Sequence, residues 1–187
     1  FIMQLEKILT SPVKVLKTLH DKNVLMIFKN AYTSLEKYHK ITDARIYVDK
    51  EVESLEHINI LLRDPKKRFV SGVNSFLSLE NVKLDDALKE KIETKQILNL
   101  HFCPQVYWLL NLYRYYKGPV TFYDYTDVEM FIPNHNNPPV SKLTDSTRQQ
   151  IENIKYDFEI DTKLVDNFLN KTVSLQSVIK EFKDALS

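Results

Sequence analysis

Ile58-Asn59-Ile60-Leu61-Leu62-Arg63-Asp64-Pro65 closes a segment, residues 41–64, that admits two readings. Ile46, Val48, Val52 and Leu55, followed by the apolar run Ile58 to Leu62, fit short strands or one irregular helix, because a short apolar run has no diagnostic period. Asp64-Pro65 is unambiguous: an Asp at the N-cap with Pro at the first helical position starts a helix. Phe69, Val70, Val73, Phe76 and Leu77 give that helix an apolar face, which Gly72 interrupts at a helix cost of about 1 kcal/mol against Ala.

Helical spacing dominates on both sides of this segment. Ser11-Pro12 repeats the capping pattern, with Val13, Leu16 and Leu19 following. Asp21 is placed to cap a longer helix carrying Leu25, Phe28, Tyr32, Leu35 and Tyr38. Asp85 heads a helix with Leu88, Ile92 and Leu98 inward. Pro104 opens a helix whose Val106, Tyr107, Leu109, Leu110 and Tyr113 make it apolar nearly all round, as central helices are. Gly118-Pro119 ends it.

The period then shortens. Val120 to Tyr125 and Val128 to Ile132 alternate and are aromatic or β-branched, which predicts a small hairpin turning at Asp124-Tyr125-Thr126-Asp127. Pro133-Asn134-His135-Asn136-Asn137-Pro138-Pro139 predicts a loop. Three helices follow, around Ile151 and Ile154, from Asp161 through Leu169, and from Ser174 with a stripe at Leu175, Val178, Ile179, Phe182 and Leu186. The expected fold is therefore mainly α: an irregular domain of about seven or eight helices with one small β-hairpin. It divides as a helical core with the hairpin at 1–132, a Pro/Asn loop at 133–145, and a helical part at 146–187 packed on the core as one structural domain. Because the chain starts with Phe1, a fragment of a larger protein is expected.

Composition excludes several chemistries. Gly72 and Gly118 are the only glycines, too far apart for a dinucleotide fingerprint, a phosphate loop or a nucleophile elbow. The single Cys103 forbids an internal disulfide and Cys-rich zinc sites, which favours a reducing compartment, cytoplasmic or nuclear. His20, His39, His57, His101 and His135 include no i, i+4 pair, so no metal and no cofactor is expected. Asn170-Lys171-Thr172 matches a glycosylation acceptor, and the absent disulfides argue against its use. No apolar run approaches the ~20 residues of a membrane span. A net charge of +1 argues against nucleic acid as a partner.

Two surfaces remain as candidates. Trp108, Tyr115 and Tyr116, with Leu175, Ile179 and Phe182 of the last helix, are the expected contacts for a protein partner, since Tyr and Trp join apolar area to a polar handle. Arg63, Lys66, Lys67 and Arg68 form the one basic cluster, suited to an anion, an acidic lipid headgroup or an acidic protein surface, with Phe69 as a membrane anchor in the lipid case. The leading expectation is a non-enzymatic protein-interaction domain, a scaffold or adaptor subunit of an intracellular complex. The alternatives are a peripheral membrane or phosphoinositide-binding domain using residues 63–68, and an enzyme whose site assembles only in three dimensions from His101, Tyr107 and Asp124.

Overall fold

The structure, a computed structural model, describes residues 2–18, 20–26, 45–131 and 143–186. Six strands form one mixed sheet: β1 (Lys14–Lys17), β2 (Asn23–Met26), β3 (Ile46–Val48), β4 (Ile58–Leu62), β5 (Pro119–Asp124) and β6 (Thr172–Ser174), in the order β3-β1-β2-β4-β5-β6. The central strands β2, β4 and β5 are parallel, and antiparallel β1 and β3 on one side and β6 on the other complete the sheet. The helices are α1 (Ile2–Thr10), α2 (Pro65–Leu79), α3 (Asp86–Glu93), α4 (Gln105–Tyr113), α5 (Asp145–Glu152), α6 (Glu159–Phe168) and α7 (Leu175–Leu186), with 3-10 turns at Asp49–Ser54 and Tyr125–Met130. This is an α/β fold, and it overturns the mainly α expectation.

The reason lies in β4. Every residue from Ile58 to Leu62 is buried, as in a parallel strand covered on both faces, so no alternation marks it in the sequence. Its side chains nevertheless divide between two cores. Ile58, Ile60 and Leu62 join Val15, Leu25, Val120 and Phe122 beneath α1, α4, α6 and α7, where Ile8, Val106, Leu109, Leu112, Leu164, Phe168, Leu175, Val178 and Phe182 meet them. Leu61 joins Leu16, Val24, Val128 and Phe131 on the opposite face. A third cluster ties α2, α3 and α5 together through Phe69, Val73, Leu77, Ile92, Phe102, Ile151 and Ile154.

The expected hairpin dissolves into long-range pairing. Val120 to Asp124 is a strand, but its partners are Ile58 to Leu62 and Thr172 to Ser174. The segment that should have returned is the 3-10 turn, started by the Asp124 carboxylate accepting from the Thr126 N–H and hydroxyl at 2.9 and 2.8 Å. Ser11-Pro12 likewise starts no helix. Ser11 lies beyond α1, its hydroxyl donating to the Lys7 carbonyl at 2.6 Å, and Val15 and Leu16 then point into different cores as strand neighbours do. Asp21 (φ 63°) sits in the β1–β2 turn, where Lys17 pairs with it at 2.9 Å; the expected helix after it begins as β2, and its remainder lies outside the described residues. The Pro133–Pro139 loop lies outside them as well.

Several local readings hold. Asp64 and Asp85 cap α2 and α3, accepting from the Lys67 and Leu88 N–H groups at 3.0 and 2.8 Å. The three C-terminal helices form, with β6 inserted between α6 and α7. α4 is central to the largest core, and its Asn111 Nδ2 donates to the carbonyls of Ile8, Leu9 and Ser11, closing the C-terminal end of α1 from a neighbouring element.

Candidate anion-binding site

The strand order places a switch in connection direction between β2 and β4. After β2 the chain next enters the sheet at β3, on one edge; after β4 it next enters at β5, on the other side. In open α/β sheets the crevice outside the carboxyl ends of the strands at such a point is where ligands bind. The residue that follows β4 at this edge is Arg63.

Arg63 is held by two residues. The parallel register pairs Leu62 with Asp124, so Arg63 lies level with Tyr125, and its guanidinium stands 5.1 Å from the centre of that ring. Its main chain is gripped by the side chain of Gln105: the Arg63 N–H donates to Oε1 and Nε2 donates to the Arg63 carbonyl, both at 2.9 Å. Burial pushes the Arg63 pKa below the ordinary arginine value, with Arg68 adding to the effect and Tyr125 and Asp64 opposing it. An arginine nevertheless stays charged in proteins. No carboxylate forms an ion pair with Arg63 among the described residues. A half-buried, fixed, unpaired cation at a strand end is suited to an anion from outside the chain.

The rest of the basic cluster separates. Lys66 and Lys67 are exposed in the first turn of α2. Arg68 is only 4% exposed and turns inward, Nη1 donating to the Cys103 carbonyl while Nε has no partner among the described residues. Because Asp64 already occupies the cap of α2, anion recognition here falls to side chains rather than to helix amides. Phe69 is buried, stacked on Tyr156 with ring centres 4.4 Å apart, so it anchors the third cluster and not a membrane. Beneath α2, Arg68, Phe69, Tyr156, Phe158 and Asp161 line a crevice of about 10 Å³, too small for an organic ligand.

Behind Arg63 lies a support that the sequence reading did not find. Gln105 is fully buried at the start of α4, and its own N–H donates to both carboxylate oxygens of Asp161, at 2.8 and 2.9 Å. Asp161 was expected to open the helix that runs through Leu169. Instead it sits inside α6 and caps α4 across the interface. Burial pushes its carboxyl above the usual range, while Arg68 and the Gln105 and Val106 N–H groups pull it back. The available signal was a polar residue on the inner side of an otherwise apolar helix, a position only a satisfied hydrogen-bonding group can hold.

The other sequence candidates have different places. Trp108, Tyr116, Leu175 and Phe182 are buried in the main core, and Tyr115 and Ile179 lie half-buried against it. No hydrogen bond joins any two of His101, Tyr107 and Asp124 among the described residues; Asp124 is engaged with Thr126. Cys103 is buried in the main core, and burial pushes its thiol up to about 11. No group of three or more His, Cys, Asp or Glu side chains able to hold a metal occurs, and no helix is long and apolar enough to cross a membrane, among the described residues.

The histidines give a pH prediction. Burial lowers the pKa of His101, with Arg68 adding to the effect, and burial lowers that of His57. Below about pH 6.5 the unfolded chain then binds protons that the folded chain refuses, so stability falls as pH drops through that value. Urea unfolding at pH 7.5 and 5.5 should register the loss, and His101→Asn should flatten the profile. An unchanged slope in that variant would remove His101 from the account.

Comparison of the chain with protein-family models, with curated proteins and with solved structures finds no match, so the functional reading stands on this geometry alone.

Proposed function

We propose that this protein binds a phosphate-bearing small molecule at the carboxyl edge of β2 and β4, with Arg63 as its principal anion contact. One observation carries the reading: a charged, half-buried guanidinium, clamped at the end of a central parallel strand at the switch in strand order, with no carboxylate paired to it among the described residues. Holding a desolvated charge fixed costs free energy, and an anionic ligand offsets that cost with charge-assisted hydrogen bonds. With only two glycines in the chain, close backbone approach to a phosphate gives way to recognition by side chains, for which arginine's fork is suited. The exposed Lys66 and Lys67 add attraction at longer range, screened by salt.

Isothermal titration calorimetry with AMP, ADP, ATP, adenosine and inorganic phosphate tests this reading. The phosphorylated compounds should bind and adenosine should not. Arg63→Ala should weaken binding at least about tenfold, the effect of one charge-assisted hydrogen bond. Lys66→Ala with Lys67→Ala should change it less than Arg63→Ala does, and the lysine effect should shrink at high salt. Equal affinity in the parent and Arg63→Ala would overturn the proposal.

A further inference from the structure

The grip on Arg63 deserves a functional reason, because a fully buried glutamine at the start of α4 is costly unless every polar atom is used. Gln105 turns both ends of its side-chain amide to the main chain of one residue, accepting from the Arg63 N–H and donating to the Arg63 carbonyl, both at 2.9 Å, and the amide also acts on the Asp161 carboxylate. That is how a neighbouring strand would bond. It extends the ladder one residue beyond β4, where backbone would otherwise be free to vary. Gln105 is fixed in turn through its own N–H on the Asp161 carboxylate, at 2.8 and 2.9 Å. The chain Asp161, Gln105, Arg63 thus runs from α6 through α4 to the strand edge.

We infer that Gln105 is a positioning residue of the anion site, fixing the Arg63 backbone so that the guanidinium is presented in one place before the ligand arrives. The inference rests on the reading of Arg63 as the anion contact. Preorganisation of this kind strengthens binding by reducing what must be ordered on association.

The test uses sulfate, whose charge does not change between pH 5 and pH 8, and reads the rise in unfolding midpoint that sulfate gives over chloride at equal ionic strength. The part of that rise that Arg63→Ala loses reports binding to the folded state; the part it keeps is the general stabilisation that excluded sulfate gives any fold. Gln105→Leu removes both bonds. Gln105→Glu is informative because its carboxylic acid can accept from the Arg63 N–H and donate to the Arg63 carbonyl, whereas its carboxylate can only accept. Burial places its titration above the ordinary value of about 4.3. Asp64, Arg68 and Tyr125 act on Arg63, and Asp161 acts on Cys103, Tyr107 and Tyr156; these are present in the parent, whose profile subtracts them, while the Asp161 carboxylate beside position 105 adds to the upward shift of Gln105→Glu.

In the parent, sulfate should stabilise at both pH values. In Gln105→Leu its apparent affinity should fall about tenfold at both. In Gln105→Glu it should match the parent at pH 5 and fall to the Gln105→Leu level at pH 8. Parental behaviour of both variants at both pH values overturns the inference, as does a loss in Gln105→Glu that acid does not restore. A parent that sulfate stabilises no more than it stabilises Arg63→Ala overturns the anion reading itself. Should Gln105→Leu not fold, the acid rescue of Gln105→Glu alone decides.

Discussion

Gly72→Ala is expected to destabilise the protein by about 3 kcal/mol, the upper end of what overpacking costs. A β-carbon built on Gly72 would lie 2.1 Å from the His101 carbonyl oxygen and 2.7 Å from its carbon, with the Phe102 β-carbon at 3.0 Å. The first two are backbone atoms, which cannot swing aside. Phe102 is itself buried and in edge contact with Phe69 and Phe76, so relief there means moving the third cluster. Helix propensity runs the other way, favouring Ala by about 1 kcal/mol, and the clash should win. At this chain length the loss corresponds to a fall in midpoint of roughly 6–12 °C. Urea denaturation measures it directly. A neutral or stabilising Gly72→Ala would mean that the loop at 99–103 does not press on α2 as described.

The second large effect is expected at Asp161. Its two oxygens accept the Gln105 N–H, and Arg68 lies near enough to act on its charge. Asp161→Ala would leave the first amides of α4 without an acceptor inside the protein, at about 1–3 kcal/mol for each unsatisfied group. It would also leave Arg68 buried without its counter-charge. A total of about 3–4 kcal/mol is expected. Asp161→Asn keeps one acceptor in place and should cost clearly less. Because α4 carries Gln105, the alanine variant should also weaken anion binding through Arg63. Equal stabilities of the parent and Asp161→Ala would show that the cap from α6 carries no weight.

What could be read before the structure follows from the range of the forces involved. Caps are local: Asp64 and Asp85 bond amides three residues away, and the sequence pattern suffices to place them. The apolar stripes of α4, α6 and α7 are local too, and those helices form. Pairing in a parallel sheet is not local. Ile60 lies beside Phe122 and Leu25 beside Ile60, so nothing within a few residues of either strand announces the partner. Val120 to Asp124 is legible as extended chain, yet the nearest extended-looking segment was the wrong mate. Val13 and Leu16 matched helical spacing by coincidence, because Val15 and Leu16 are buried on opposite faces and Lys14 is buried beside them, so no alternation of apolar and polar residues marks the strand.

The site was half legible for the same reason. Arg63 could be picked out by charge, and its neighbours Lys66, Lys67 and Arg68 were grouped with it. Only the fold separates a strand-end guanidinium from two solvated lysines and one inward arginine. Gln105 and Asp161 are 42 and 56 residues from the groups they hold, distances at which no motif operates. Of the aromatic residues of α4 that were conspicuous in sequence, Trp108 is buried in the main core, and Tyr107 and Tyr113 pack half-buried against it.

The most direct measurement is where an electron-dense anion settles. Crystals of the protein grown or soaked with tungstate, with diffraction recorded at the tungsten absorption edge, should give an anomalous peak within hydrogen-bonding reach of the Arg63 guanidinium, and none there in crystals of Arg63→Ala. Anions found only around Lys66 and Lys67, or an Arg63 neighbourhood that stays empty while tungstate binds elsewhere, would contradict the account.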